Sequence, residues 1–534
     1  MQTKNKIYIY DTTLRDGTQG ENISFSVDEK IRIARRLDKT GIHYIEGGWP
    51  GANPKDSEFF HKCKKEDFQN ACLVAFGSTR RQGIPASKDK NLKALLHTET
   101  PVVAIFGKSW NLHVEEIMHN TRDENLAMIR DSVDFLCSHD REVCYDAEHF
   151  FDGYTDAPEY AMQTLIAAMD GGAKTITLCD TNGGLMLHNV SRIVSHVKSY
   201  IEKKFPNVRL GIHMHNDCGL AVANSITAIQ AGATQVQGTI NGYGERCGNA
   251  DLINIIPLLA IKLGYPCIDD SNIKSLKNLS RFVSETANMI PLSTRPFVGE
   301  SAFAHKGGIH VSAIQINPRS YEHMPPELVG NSREVLISDL SGKSNVDYKA
   351  NEFNLDISDD AARSISQDIK ALEKRGYKFE SADGSLKLLM QRHLNRFQPA
   401  FELEALRVFI EKNKDLPCTA HAVIKIRVGN QKGEIIAAEG KGPVSALDNA
   451  LRKALKRFFP KMDTMHLMDF KVRVIDGRDG TAAKVRVLIS SRDQSNIWTT
   501  IGVSEDIIEA SWEALADSFQ YIINENEIAP YDSV

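Results

Sequence analysis

"KTITLCDTNGGLMLHNVSRIVSHVKSYIEKKFPNVRLGIHMH", residues 174–215, decides the fold. A β-rich run ends in Asp180, a helical stretch follows with Ile193, Val197 and Ile201 at a spacing of four, and a second β-rich run ends in His213 and His215. Strand, amphipathic helix, strand is the repeating unit of a parallel sheet. The same alternation extends in both directions. The expected strands are IYIYD (7–11), IHYIE (42–46), ACLVAF (71–76), VVAIF (102–106), EVCYDAE (142–148), KTITLCD (174–180), VRLGIHMH (208–215) and TQVQGTI (234–240). Between the first strands, SVDEKIRIARRLDKTG places Ile31, Ala34 and Leu37 on one face, and Asn53 with Pro54 reads as an N-cap and first helical residue. Eight strands with crossover helices predict a (β/α)8 TIM barrel, an α/β fold. The rival, a doubly wound open sheet, would carry a Gly-rich nucleotide loop after its first strand, and none follows Asp11.

At 534 residues the chain needs more than one domain. A net charge of −5 offers no basic footprint for nucleic acid. The nine cysteines include no CxxC pair, the N-terminus MQTKNK carries no hydrophobic signal segment, and no run reaches 18 apolar residues. The expectation is a cytoplasmic protein that binds neither nucleic acid nor membrane.

In a barrel of this kind catalysis sits at the C-terminal ends of the strands. Asp11, Arg15 and Asp16 follow the first strand, Glu46 ends the second, and Glu148 ends the fifth. Asp180 with Thr181 ends the sixth, His213 and His215 the seventh, and Asn249 lies after the eighth. Residues two apart on a strand share a face, so the two histidines can chelate a divalent ion with a carboxylate such as Asp16, or else pack structurally. Magnesium, manganese and zinc all suit such a set. Arg15 can stabilise an oxyanion or be tied to Asp11 or Glu46. Glu148 can act as a base, or be a solvated charge or helix cap. Asp11 is expected to orient Arg15 or a histidine, and NGYGERCGNAD (241–251) offers backbone amides for phosphate without the lysine of a P-loop.

Taken together, LRDGTQ (14–19), GIHMHND (211–217) and NGYGERCGN (241–249) resemble the DRE-TIM metallolyases. FAHKGGIHVSAI (303–314) and GKGPVSA (440–446) narrow the resemblance to the acyl-CoA condensing group of 2-isopropylmalate, homocitrate and citramalate synthases. The resemblance implies acetyl-CoA as co-substrate, condensation with a 2-oxo acid and hydrolysis of the thioester. It also implies metal ligands Asp16, His213, His215 and Asn249. Arg15 would hold the keto oxygen with Gln19 nearby, Glu148 would deprotonate the acetyl methyl group, and Thr181 would bind the 2-oxo acid carboxylate. His310 and Tyr321 match positions that in relatives enter the site of the other subunit, which implies a homodimer.

EGGWPGANPKDSEFF (46–60) resembles the citramalate branch, which uses pyruvate. Trp49, Phe76 and Phe106 are then sources of bulk that would exclude a larger acceptor, or packing residues. Asp146 stands where some of that branch carry an aromatic. 2-Isopropylmalate synthase, acting on 2-oxoisovalerate, is the alternative, followed by a metal-dependent aldolase or lyase on the same barrel.

The expected organisation is a catalytic barrel over 1–267, helical linker subdomains over 268–400 and a C-terminal α+β module over 401–534. In the linker, a long helix is expected from Asp359 to Arg375, and SDLSGKSNV (338–346) forms a turn. The module contains a repeat. AHAVIKIRVG, EIIAAEG and GPVSALDNALRKALKRF answer to KVRVLISSRD, IWTTIGV and GVSEDIIEASWEALADSFQYI, with Gly442 and Ser445 matched to Gly502 and Ser504. The resemblance makes this a regulatory or dimer-forming module, with isoleucine as the effector implied for the citramalate branch.

Overall fold

A computed structural model describes residues 4–415, 417–475, 480 and 483–525. Eight parallel strands close into a barrel in chain order. They are β1 Tyr8–Asp11, β2 Tyr44–Gly48, β3 Cys72–Ser78, β4 Val102–Lys108, β5 Glu142–Glu148, β6 Thr175–Asp180, β7 Arg209–Met214 and β8 Gln235–Gly238. β1 pairs with both β2 and β8, which seals the barrel. The helices around it are α1 Val27–Thr40, α2 Pro54–Cys63, α3 Lys90–His97, α4 Arg122–Cys137, α5 Phe150–Asp156, α6 Pro158–Asp170, α7 Leu187–Lys204, α8 Ala221–Gln230 and α9 Leu252–Pro257, then α10 Asp270–Ile273 and α11 Leu276–Thr286. His215 lies one residue beyond β7, in a bridge with Asn249.

Local chemistry explains the helix starts. Ser26 caps α1 in a reciprocal box with Glu29, and Asn53 caps α2 with Pro54 at its first position. Ile193, Val197 and Ile201 of α7 are buried in the layer between helices and barrel. Inside the barrel a separate cluster of Tyr10, Tyr44, Val74, Phe76 and Cys144 carries Trp49 and Phe106 at its edge.

The described residues divide into two compact units, one running up to Phe303 with Met324–Ser332, the other Ala304–His323 with the residues from Arg333 onward. The second unit begins with β9 Ala304–His305 and α12 Gly308–Ile316, and β9 pairs with β10 Glu334–Val335. Buried Glu322 accepts from both nitrogens of the Arg333 fork and bonds His305, which ties the unit's two segments together. α13 Lys343–Glu352, α14 Asp359–Lys374 and α15 Asp383–His393 follow. Two matching layers end the chain: β11 Glu402–Glu411, β12 Thr419–Arg427, β13 Glu434–Gly440 and α16 Pro443–Leu455, then β14 His466–Val474, β15 Val485–Arg492, β16 Ile497–Ser504 and α17 Ile507–Glu525.

Each repeat therefore has three antiparallel strands before its helix, where the sequence pattern predicts two. β11 and β14 escape a search for alternation because much of their apolar surface is exposed, as at Phe409, Ile410, Met468 and Val474. The glycine match also shifts. A Cβ on Gly502 would lie 2.0 Å from the Ala510 carbonyl oxygen, and the glycine pressed against the helix in the first repeat is Gly440, 2.3 Å from the Ala446 nitrogen, rather than Gly442.

The turn after β2 depends on Gly48. Its φ is 148°, and a Cβ there would meet the Asp56 carboxyl carbon at 2.4 Å. Gly48→Ala is expected to cost roughly 1–3 kcal/mol, read as a lowered urea midpoint for the barrel's transition. An unchanged midpoint would show that this turn relaxes freely.

Candidate active site

The strand ends converge on a cavity of about 240 Å³. Arg15, Asp16 and Gln19 enter it from the loop after β1, Glu148 from β5, Thr181 from just after β6, His213 from β7 and His215 from just beyond it. A larger cavity of about 470 Å³ is lined by α2 and α3 side chains such as His61, Lys90 and Lys93, and contains none of these residues.

Asp16, His213 and His215 offer ligand atoms within 4.8 Å of one another. His213 Nε2 lies 3.3 Å from Asp16 Oδ2 and 3.3 Å from His215 Nε2. Asn249 donates from Nδ2 to Asp16 Oδ2 at 2.8 Å, while its Oδ1 is buried and unpartnered among the described residues. Two imidazoles and a carboxylate within reach of one another make a donor set that fits a divalent cation, and turning the Asn249 amide over would present its orphaned oxygen beside Asp16 in place of the nitrogen. The Gly-rich loop serves this geometry. A Cβ on Gly248 would lie 2.0 Å from the Gly242 carbonyl oxygen, and one on Gly244 would lie 2.6 Å from Asn249 Oδ1. Its glycines fold the chain back onto Asn249, a steric reason for their presence that involves no phosphate.

The electrostatics keep Asp16 and His215 in metal-binding form, whereas at His213 burial is outweighed by the hydrogen bond and charge of Asp16, which raise its pKa. Burial opposes ionisation of Asp16, yet the neighbouring Arg15 and then His213 hold its carboxyl well below the usual range. Burial and then the adjacent His213 push His215 down to about 3. It is neutral at pH 7, with a lone pair to offer.

A support behind His213 is absent from the sequence reading. Gln237 Nε2 donates to Asp146 Oδ1 at 3.0 Å and to Thr177 Oγ1 at 3.2 Å. A carboxylate can only accept, so the amide nitrogen must face Asp146 and Oε1 must face His213 Nδ1, 2.9 Å away. That arrangement places the imidazole proton on Nδ1 and leaves Nε2 free as a ligand. The signal was present in TQVQGTI: Val236 faces the outer core, so Gln235 and Gln237 face the barrel axis.

Arg15 is tied as well as exposed to the cavity. Its Nε donates to Glu46 Oε1 at 2.5 Å, its Nη1 lies 3.4 Å from Asp16 Oδ1, and its guanidinium stacks 3.8 Å above Phe76. Tyr10 holds the other Glu46 oxygen at 2.6 Å. The expectation that Asp11 orients Arg15 or a histidine is not met. Asp11 accepts from the backbone N–H and the hydroxyl of Thr13, and Thr13 in turn accepts the Ile240 N–H. It pins the first loop to the last one.

Glu148 is ion-paired with Lys108 at the cavity wall. Thr181 Oγ1 accepts the His149 N–H at 2.9 Å, which leaves its own proton to donate to a ligand. His310 and Tyr321 belong to the second unit, where both are exposed and their rings stack at 4.1 Å.

A barrel with ligating and charged groups converging at its strand ends defines a class, and the chain belongs to the HMGL-like family, whose pattern matches residues 6–283. Residues 297–377 match the homocitrate synthase post-HMGL domain-like family, and 380–523 the LeuA allosteric (dimerisation) domain. Among individual proteins, the chain is 52% identical over 526 residues to the (R)-citramalate synthase of Aquifex aeolicus, with 98% of each chain covered. It is also 52% identical over 524 residues to the (R)-citramalate synthase of Geobacter sulfurreducens, again with 98% of each covered. Identity falls to 30% over 533 residues with the 2-isopropylmalate synthase of Methanocaldococcus jannaschii, covering 98% of this chain and 96% of that one. No helix among the described residues is long and apolar enough to cross a membrane.

Two outcomes test this geometry. Gln237→Leu should weaken binding of manganese or magnesium by about 10–100-fold, measured by calorimetry, with the fold intact by circular dichroism. Unchanged affinity would show that His213 needs no partner. Burial raises the Asp11 carboxyl to about 7 against the Thr13 hydrogen bonds, so the folded chain holds a proton there that the unfolded chain releases near 3.8. Wild-type stability should therefore fall relative to Asp11→Asn as pH rises from about 4 to about 7. A difference that does not vary with pH would mean that Asp11 stays ionised throughout.

Proposed function

We propose that the chain is a citramalate-forming condensing enzyme. It joins the acetyl methyl carbon of acetyl-CoA to the keto carbon of pyruvate and then hydrolyses the thioester to release CoA. The observation that carries this reading is the single cavity that brings Arg15, Asp16, Glu148, Thr181, His213 and His215 together, in a chain matched from end to end by relatives of that name.

Asp16, His213, His215 and Asn249 would hold a divalent cation, magnesium or manganese or else zinc, whose Lewis acidity draws charge from the keto oxygen. Arg15 supplies a fixed positive charge for the oxygen that becomes an alkoxide; held by Glu46 from behind, it needs no reorganisation as charge develops. Thr181 donates its free hydroxyl proton to the carboxylate of the 2-oxo acid, and Gln19 lies at the rim beside Arg15. Glu148 takes the proton from the acetyl methyl group, and its partner Lys108 holds the carboxylate at the cavity wall.

His310 and Tyr321 are assigned to the site as the partner subunit's contribution, in keeping with their exposed, stacked rings. The catalytic barrel is assigned to 1–267, the linker to 268–400 and the regulatory module to 401–534. The apolar side chains exposed on β11 and β14 support pairing of two copies through that module, with isoleucine as its effector.

The test is CoA thiol release by the purified chain with acetyl-CoA and magnesium or manganese, comparing pyruvate, 2-oxoisovalerate and 2-oxoglutarate. A strong preference for pyruvate, lowered by added isoleucine, is expected. A preference for 2-oxoisovalerate would assign the chain to leucine-pathway chemistry instead, and no release with any acceptor would end the condensation reading.

A further inference from the structure

Trp49, in the segment between β2 and α2, is held both at its backbone and at its ring. The Trp49 ring stands edge-on against Phe76 at 5.8 Å and Phe106 at 5.6 Å, and those two rings stack on each other at 5.6 Å. The three form one wall of the active-site cavity. On the backbone side, the Trp49 N–H donates to Asp56 Oδ2 at 3.0 Å, and buried Lys30 pairs with the other oxygen of that carboxylate. On the ring side, Nε1–H donates to Asn91 Oδ1 at 2.7 Å.

Asn91 is itself immobilised. Its Nδ2 donates to the Ser78 carbonyl oxygen at 2.8 Å, so both arms of the amide are committed and it cannot flip. Its backbone N–H sits under the Asp89 cap at the start of α3. Two glycines leave room for the amide: a Cβ on Gly51 would approach Oδ1 to 2.9 Å, and one on Gly77 to 3.0 Å. A tryptophan needed only as filling would be served by packing. This one, half-buried at a substrate wall, is pinned by a hydrogen bond from a dedicated seat on α3.

We propose that Asn91 is a positioning residue for acceptor selectivity: by holding the Trp49 indole upright against Phe76 and Phe106, it sets how large a group beyond the keto carbon the cavity accepts. The inference rests on the pyruvate reading above. A pinned ring cannot tilt to admit one more methylene, whereas the same ring released from Asn91 can. Discrimination of one methylene by an apolar pocket spans about 10–200-fold, so the ratio of kcat/KM for pyruvate over 2-oxobutanoate has a range in which to move.

The experiment measures that ratio for wild type, Asn91→Ala, Trp49→Phe and the double variant, by CoA release with the full-length chain. Trp49→Phe keeps an aromatic ring but has no N–H to reach Asn91, and it tests the link even if Asn91→Ala proves poorly folded. The ratio should drop by about tenfold in each single variant, at the low end of that range. The double variant should drop no further than Trp49→Phe alone, because Asn91 acts through the indole. A purely structural role for Asn91 would instead leave the ratio in place, or add its effect to that of Trp49→Phe. Either outcome overturns the proposal while leaving the function standing. A wild-type chain that does not prefer pyruvate overturns the function reading first, and this inference with it.

Discussion

A carboxylate buried at the bottom of a barrel mouth stays ionised only if a cation is fixed beside it, and here that cation is Arg15. Burial alone would neutralise Asp16; the guanidinium 3.4 Å away reverses that. Arg15 in turn stays in place because Glu46 grips its Nε and Phe76 lies beneath its plane, and Glu46 is steadied by Tyr10. This stack fixes the cation beside the one group around which His213, His215 and Asn249 are gathered. Arg15 is therefore in a structural ion pair and also lines the cavity, so the two roles that the sequence leaves as alternatives are compatible.

Much of the cavity is built from side chains whose second contacts are as specific as their first. His213 has Gln237 behind it and Gln237 has Asp146; Thr181 has the His149 amide; Trp49 has Asn91. Asp146 shows how context changes a residue's part. At a position where some of the citramalate branch carry an aromatic, a carboxyl raised to about 6 by burial and then by Glu46 receives an amide from Gln237. The aromatic wall is supplied by Trp49, Phe76 and Phe106 instead.

The barrel was legible because parallel strands between crossover helices leave a strong alternation, and because His213, His215 and Asp16 fall at strand ends where no packing role explains them. The partners of those residues were not. Gln237 is one polar residue in a short strand until the closed barrel sets it between His213 and Asp146. Asp11 and Thr13 are neighbours in sequence, yet the purpose of their contact appears only when Ile240 arrives from the far end of the barrel. β11 and β14 defeat pattern reading for another reason: their exposed apolar residues blur the contrast between inside and outside on which alternation depends.

The bonds that join the start of the barrel to its end, Asn249 to Asp16 and Ile240 to Thr13, span 233 and 227 residues of chain. Contacts of that separation form late, after the entropy of closing so long a loop has been met. The site thus has no partial version: before β1 and β8 pair, Asp16 and the histidines belong to opposite ends of an open sheet. A cation that binds them binds only the closed barrel and stabilises it over every open form. Cation uptake during refolding would then mark the moment at which the first strand meets the last.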